Sequence, residues 1–307
     1  MSRLRRGAAV VGALGAACLA WGTLVEPRVF RLRRFELPLL PAGSPPVRVL
    51  HLSDLHLLPG QRAKLDWVSR LAGLEPDLVV DTGDNLASAR SVEPLLRALG
   101  RLTERPGAFV LGSNDYFSPQ LKNPAAYLWS SPGATPEREE DLPWQTLVQH
   151  LSDAGWHDLT SRRATVEVHG VRIELRGTDD AHLDRDDYAS VAGEVSPGHD
   201  VSIGVTHAPY LRVLDAMAAD RVDLVLAGHT HGGQVCLPGG RALVTNCDIE
   251  PSRVKGLSSH EARTADGGIH RSALHVSAGL GMSPYAPYRF ACPPEASLLT
   301  LTARPGL

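Results

Sequence analysis

Val47-Arg48-Val49-Leu50-His51-Leu52-Ser53-Asp54-Leu55-His56 is the stretch whose reading decides the fold. Its first six residues read as a short apolar strand. The run then ends on a carboxylate and an imidazole two positions apart. On an extended strand end, side chains at i and i+2 point the same way. Asp54 and His56 are therefore expected to converge on one ligand.

The same grammar recurs downstream. A second apolar run at 78–81 ends on Thr82-Gly83-Asp84-Asn85, and a third at 108–111 ends on Gly112-Ser113-Asn114-Asp115. The run 201–205 leads to His207, and 222–227 leads to Gly228-His229-Thr230-His231. Residues 61–74 and 92–102 carry helical spacing between the early strands. This β-loop-α alternation predicts an α/β fold with ligands in loops at strand ends. A hairpin is expected around His169-Gly170, and late strands at 274–277 and 297–301. The polar, proline-containing segment 117–143 is too long for a plain connection and reads as a lid or as a surface loop.

Taken singly, each motif has a plain role. Asp54 or Asp84 can cap a helix, His207 can sit satisfied in the core, and His229 with His231 can be a turn pair. Asp54, His56, Asp84, His207, His229 and His231 together, each beside a strand-like run, read instead as one dinuclear metal site.

Composition narrows the class. The net charge of −3 offers no basic face, so no nucleic-acid partner is expected. Cys18, Cys236, Cys247 and Cys292 lack zinc-like spacing and are expected as free thiols. Residues 7–25 are charge-free and apolar, close to the roughly 20 residues that cross a bilayer. They predict an uncleaved, single-pass N-terminal anchor in the cell membrane, with a cleaved export signal as the alternative. Arg3, Arg5 and Arg6 before this run are offset by Arg28, Arg31, Arg33 and Arg34 after it, so the side of the membrane stays open. The arginine-rich stretch after the run reads as a lipid-surface segment or as a juxtamembrane linker. With four prolines and a glycine, 38–46 reads as a linker. Residues 1–40 are thus expected as anchor and linker, and 47–303 as the catalytic domain.

In this order, Asp54-x-His56, Gly83-Asp84, the 112–115 turn, His207 and Gly228-His229-x-His231 resemble the calcineurin-like metallophosphoesterases, over about 47–301. The run His51 to His56, Gly177-Thr178-Asp179-Asp180 and Gly228 to Gln234 resemble the family's membrane-associated bacterial branch. That branch includes phosphodiesterases and hydrolases that cleave UDP-diacylglucosamine at its pyrophosphate. The resemblance implies a two-sheet β-sandwich flanked by helices, and two divalent ions. Asp54, His56 and His231 would hold one ion, Asn114, His207 and His229 the other, with Asp84 bridging. Imidazole and carboxylate without thiolate suit Mn, Fe or Zn. Two such ions bind a phosphoryl oxygen and activate a water for in-line attack on phosphorus.

One departure from the family stands out. The family turn is Gly-Asn-His-Asp or Gly-Asn-His-Glu, in which Asn binds metal and His assists the leaving group. Gapless alignment puts Ser113 at the ligand and Asn114 at the histidine; a one-residue slip keeps Asn114 as ligand and puts Asp115 at the histidine. The slip is preferred, because an amide oxygen is the better hard-metal ligand. Asp115 beside two cations would be held ionised and would donate protons poorly. His182 is the candidate substitute acid, against a plain surface role. Asp179, Asp180 and Asn85 stand between turn roles and site walls.

The expected activity is metal-dependent hydrolysis of a phosphodiester or pyrophosphate, with a lipid-linked substrate compatible with a domain held beside a bilayer. The alternatives are a phosphomonoesterase or phosphoprotein phosphatase using the same metals, and a metal-dependent binding protein without catalysis.

Overall fold

The computed structural model describes residues 3–121, 138–237 and 239–305. Positions 122–137, within the segment read as a lid or surface loop, lie outside the described residues.

Two six-stranded sheets make the body of the molecule. The first runs in the order β1 (Arg31–Leu40), β12 (Glu295–Ala303), β2 (Val47–Leu52), β3 (Leu78–Asp81), β4 (Gly107–Phe109) and β5 (His157–Asp158). Strands β2 to β5 are mutually parallel, while β12 lies antiparallel to β2 and parallel to β1. The second sheet runs β10 (Gly256–Arg263), β11 (Ile269–Val276), β9 (Leu224–Ala227), β8 (Val201–Val205), β7 (Val171–Gly177) and β6 (Arg162–Val168). Its four middle strands are parallel, and both edge strands pair antiparallel.

The sheets bury their facing sides against each other. Val47, Val49, Val80, Val110 and Leu299 of the first meet Ile173, Leu175, Ile203 and Leu226 of the second. Helices α2 (Arg62–Arg70), α3 (Val92–Leu99) and α4 (Trp144–Asp153) cover the outer face of the first sheet through Val68, Leu95, Leu147 and Leu151. Helix α5 (Leu211–Ala219) covers the second through Val213, Leu214 and Met217. Strands β3, β8 and β9 are buried along their whole length. Double burial favours unbroken apolar runs over alternation, which is why they read as continuous in the sequence.

The N-terminal linker reading needs correction. Arg31–Leu40 is a strand, paired in register with β12 from Arg31↔Glu295 to Leu37↔Leu301. It is the sheet's edge: Leu37 and Leu40 are buried, while Arg31, Arg33, Arg34 and Pro38 face outward. Charged side chains and a proline are the residue types an edge strand tolerates. The folded body therefore begins before Val47. Upstream, helix α1 (Arg3–Ala20) continues through a wide turn, Trp21–Val25, and a tight turn, Glu26–Arg28. By length and composition, Ala9–Arg28 is long and apolar enough to cross a membrane. Cys18 is exposed, and Cys236, Cys247 and Cys292 are buried free thiols.

Candidate metal centre

The C-terminal ends of β2, β3, β4, β7, β8 and β9 converge, and the loops leaving them carry the candidate site. These are the carboxyl ends of neighbouring parallel strands in both sheets, outside which α/β folds place ligands.

The convergence of Asp54 with His56, and of His229 with His231, does not come from extended strand geometry. Asp54 (φ 50°), His56 (φ 40°), Asp84 (φ 58°), His229 (φ 67°) and His231 (φ 49°) all lie in the left-handed region. Such a conformation costs a non-glycine residue on the order of 1–3 kcal/mol and persists only where the surroundings enforce it. Close packing enforces it here. A Cβ on Gly228 would sit 1.9 Å from Ser53 Oγ, and one on Gly279 would sit 2.6 Å from Asp54 Cβ. Only glycine lets these loops close on Asp54.

One ligand atom from each of Asp54, His56, Asp84 and His231 falls within 4.8 Å of every other. His56 Nε2 lies 3.1 Å from His231 Nε2 and 3.3 Å from Asp84 Oδ2. On the other side of Asp84, His207 Nε2 lies 3.5 Å from Oδ1 and 3.2 Å from His229 Nδ1. Asn114 donates its backbone N–H to Asp84 Oδ1 at 2.7 Å and its amide to Oδ2 at 2.8 Å. Ser113 is half-buried, and its Oγ lies 3.3 Å from that amide nitrogen.

Backbone carbonyls fix two of the imidazoles. His207 Nδ1 lies 2.7 Å from Thr82 O, and His231 Nδ1 lies 3.1 Å from Gly281 O. A carbonyl only accepts, so both Nδ1 atoms carry a proton, and the His231 Nε2 faces Asp54 at 3.6 Å. Burial works to lower His207, but Asp84 and then Asp180 outweigh it and hold it well above the usual imidazole range. Its Nε2 therefore also carries a proton, which a bound cation would displace. His56 Nδ1 and His229 Nε2 are buried with no hydrogen-bond partner among the described residues. Burial holds His56 down at about 4 and holds His229 and His231 well below the usual imidazole range. Neutral imidazole lone pairs facing two buried carboxylates are a donor set that fits divalent cations. Burial also works to raise Asp84, but His207 and His56 outweigh it and keep its carboxyl well below the ordinary range. Asp54, by contrast, is raised by burial to about 6.

The reading of Asp115 as the group at the leaving atom needs correction. Its carboxylate accepts the backbone N–H groups of Asp84 (2.8 Å), Gly112 (3.0 Å) and Asn85 (2.9 Å). It is a buried tie between the turn after β3 and the turn after β4. Burial and then Asp84 push it up to about 8. Its oxygens are engaged by the backbone, so it has no face to offer a substrate.

His182 lies beside the site: its ring centroid is 4.6 Å from that of His229, and its Nδ1 is 3.0 Å from Tyr210 Oη. Asp180 is buried, accepts the His182 N–H at 2.8 Å and is raised by burial to about 7. Asp179 accepts the Tyr116 hydroxyl at 2.8 Å. Asn85 is buried and donates its amide to Asp81 at 3.3 Å, a turn role.

Motifs alone do not show what stands behind the candidate ligands. His275 Nδ1 lies 3.0 Å from His51 Nδ1, and His51 Nε2 lies 3.0 Å from Thr82 Oγ1. The Thr82 hydroxyl donates to Ser53 Oγ at 2.7 Å, and Ser53 donates to Asp54 Oδ2 at 2.5 Å. Donor follows donor along this chain, which fixes the His51 proton on Nε2 and the His275 proton on Nδ1. The available signal was His51 itself, a polar residue at a core register of the opening strand. Arg289, fully buried, and Lys64, whose Nζ donates to Leu55 O at 2.6 Å, gave no pattern at all.

Residues 47–233 match the family model described as calcineurin-like phosphoesterase. The chain is 30% identical over 237 residues to the cattle (Bos taurus) "Transmembrane protein with metallophosphoesterase domain", covering 74% of this chain but 48% of that protein. It is 28% identical to the metallophosphoesterase YkuE of Bacillus subtilis (strain 168), covering 98% of each chain. It is 27% identical to the UDP-2,3-diacylglucosamine pyrophosphatase LpxG of Chlamydia trachomatis serovar D, covering 93% of each. With these matches and a buried cluster of divalent-metal donors, the chain belongs to the calcineurin-like phosphoesterase family and is a metal-dependent phosphoester hydrolase.

Proposed function

We propose that this hydrolase holds two divalent ions and cleaves a phosphodiester or pyrophosphate bond, in a lipid-linked substrate, next to a membrane crossed by its N-terminal helix. The observation that carries the choice of bond is the 112–115 turn. Asn114, whose amide rests against Asp84, donates hydrogen bonds but no acidic proton, and Asp115 is engaged by three backbone N–H groups. A substrate whose leaving group departs without protonation, such as a pyrophosphate or an aryl phosphate, suits this site best. The similarity to a protein named for pyrophosphatase activity on a diacylated sugar nucleotide supports the same class of bond.

In this reading Asp54, His56 and His231 would hold one ion and Asn114, His207 and His229 the other, with Asp84 as the shared carboxylate. Ions held there would bind the phosphoryl oxygens, offset the charge that develops on them and lower the pKa of a water. The chain's own work is orientation. Thr82 O and Gly281 O keep protons on the outer nitrogens of His207 and His231. Ser53 fixes Asp54, and Asn114 fixes Asp84. In this reading His182, whose ring lies beside that of His229, would give a proton to a poorer leaving group.

Support for the membrane comes from the apolar span Ala9–Arg28, in which Val10, Val11, Leu14, Leu19 and Leu24 are exposed. The cattle relative is likewise named a transmembrane protein.

The test is turnover of an aryl phosphodiester and its alkyl analogue by the Mn-loaded full chain in detergent. The aryl ester should be cleaved much faster; comparable turnover of the two would sink the leaving-group argument.

A further inference from the structure

The chain leaving the apolar helix is bound into the wall of the metal centre. Gly22 O accepts the Arg289 backbone N–H at 2.8 Å, and a Cβ on Gly22 would lie 2.9 Å from Arg289 O, so the two backbones touch. Glu26, 4% exposed, accepts the Ala291 N–H at 3.0 Å and the Trp21 indole N–H at 2.7 Å through Oε2. Its Oε1 accepts the Cys292 N–H. A buried carboxylate bonded to backbone amides 265 and 266 positions away is a specific dock, not a chance contact.

The docked segment holds the ligand loop. The Arg289 guanidinium, fully buried, donates to Ala278 O (2.8 Å), Gly279 O (3.2 Å), Gly281 O (2.6 Å) and Cys292 O (3.1 Å). Gly281 O is the acceptor that sets the His231 tautomer, and Gly281 N–H donates to Asp54 O at 2.6 Å. Cys292 Sγ lies 3.4 Å from His231 O. His231 is thus reached from the 289–292 segment at both its ring and its backbone.

We infer that Glu26 is a positioning residue for the metal ligand His231, acting through the 289–292 segment, Arg289 and Gly281 O. The anchor is then part of the catalytic fold as well as a tether. Its effect falls on one side only, because the Arg289 bonds reach the loop touching Asp54 and His231, whereas His207 is oriented by Thr82 O. Partners behind a metal ligand typically set about 10–100-fold of metal affinity.

The inference rests on the two-ion reading, and its test separates the two. Mn is titrated calorimetrically into the metal-stripped full chain in detergent, for the wild type, Glu26→Ala and the near-isosteric Glu26→Gln, with helical content and melting temperature recorded alongside. Two ions on the wild type establish the frame; a single ion there overturns the two-ion reading, and the Glu26 comparison then applies to that ion. The inference expects Glu26→Ala to weaken one ion by roughly tenfold or more while the other binds as before. Glu26→Gln, which keeps one acceptor, should fall between. Unchanged binding in both variants overturns it. So does an equal loss at both ions in step with a falling melting temperature, the signature of a structural role alone. If Glu26→Ala does not fold, the result for Glu26→Gln decides.

Discussion

The two halves of the metal centre are built differently. Asp54, His56 and His231 are braced from behind by two buried systems: the His275-His51-Thr82-Ser53 chain ending on Asp54, and Arg289 with Gly281 O ending on His231. Asn114, His207 and His229 have one carbonyl behind His207 and are flanked by His182 and Tyr210. On the two-ion proposal the difference would separate two jobs: the braced half would have the outer partners that retain an ion, and the other half, with the turn that differs from the family's, would bear on the leaving group. Asp84, between them, belongs to both.

The largest effect should come from the shared residue. Asp84→Asn neutralises the carboxylate facing both histidine groups, so metal content and turnover should both collapse to background. Metal analysis and a diester assay check this, and unchanged turnover would refute the bridging role.

On the leaving-group half, His182→Ala should slow an alkyl diester by about a hundredfold or more, the usual scale of a lost general acid, yet leave an aryl diester within a few-fold. Equal slowing of both substrates would break the proposed division of labour.

On the braced half, Ser53→Ala removes the hydroxyl that donates to Asp54 Oδ2. The affinity of the ion on that half should fall about tenfold with the alkyl-to-aryl rate ratio unchanged, a combination read by calorimetry and steady-state kinetics.

The remaining effect concerns pH and falls on stability instead of on the site. Burial holds His275 down at about 3 and His51 well below its usual value, so both are neutral in the folded chain. The unfolded chain takes up these protons first as pH falls through about 6.5. Stability from this pair is therefore complete above about 6.5 and is lost as pH falls toward 3. Melting temperature measured over that window should drop, and His275→Gln should flatten the slope; identical slopes in the two proteins would remove the pair from the account.

Much of this was legible in the chain, and the reason is local. Parallel strands buried on both faces must be continuous apolar runs, so β2, β3, β8 and β9 announced themselves and placed the ligands at their ends. The edge strand β1 did not, because its outward arginines and Pro38 hide the buried Leu37 and Leu40. The candidate ligands were found as residue types, but the reason given for their convergence was incorrect. Positive φ at Asp54, His56, His229 and His231 depends on glycines up to 225 positions away, such as Gly279 beside Asp54, and pairwise spacing carries no trace of that. Asp115 was misread for a related reason: its backbone partners at 84 and 85 belong to another turn. Arg289 and Glu26 carried no signal, since a buried charge that bonds backbone groups has no motif.

The most direct measurement is hydrolysis of an aryl phosphodiester and the matching monoester by the Mn-loaded full chain in detergent, with and without a chelator. The account predicts diester turnover that disappears on chelation and returns with Mn. Turnover of the monoester alone, or diester turnover indifferent to the chelator, would contradict it.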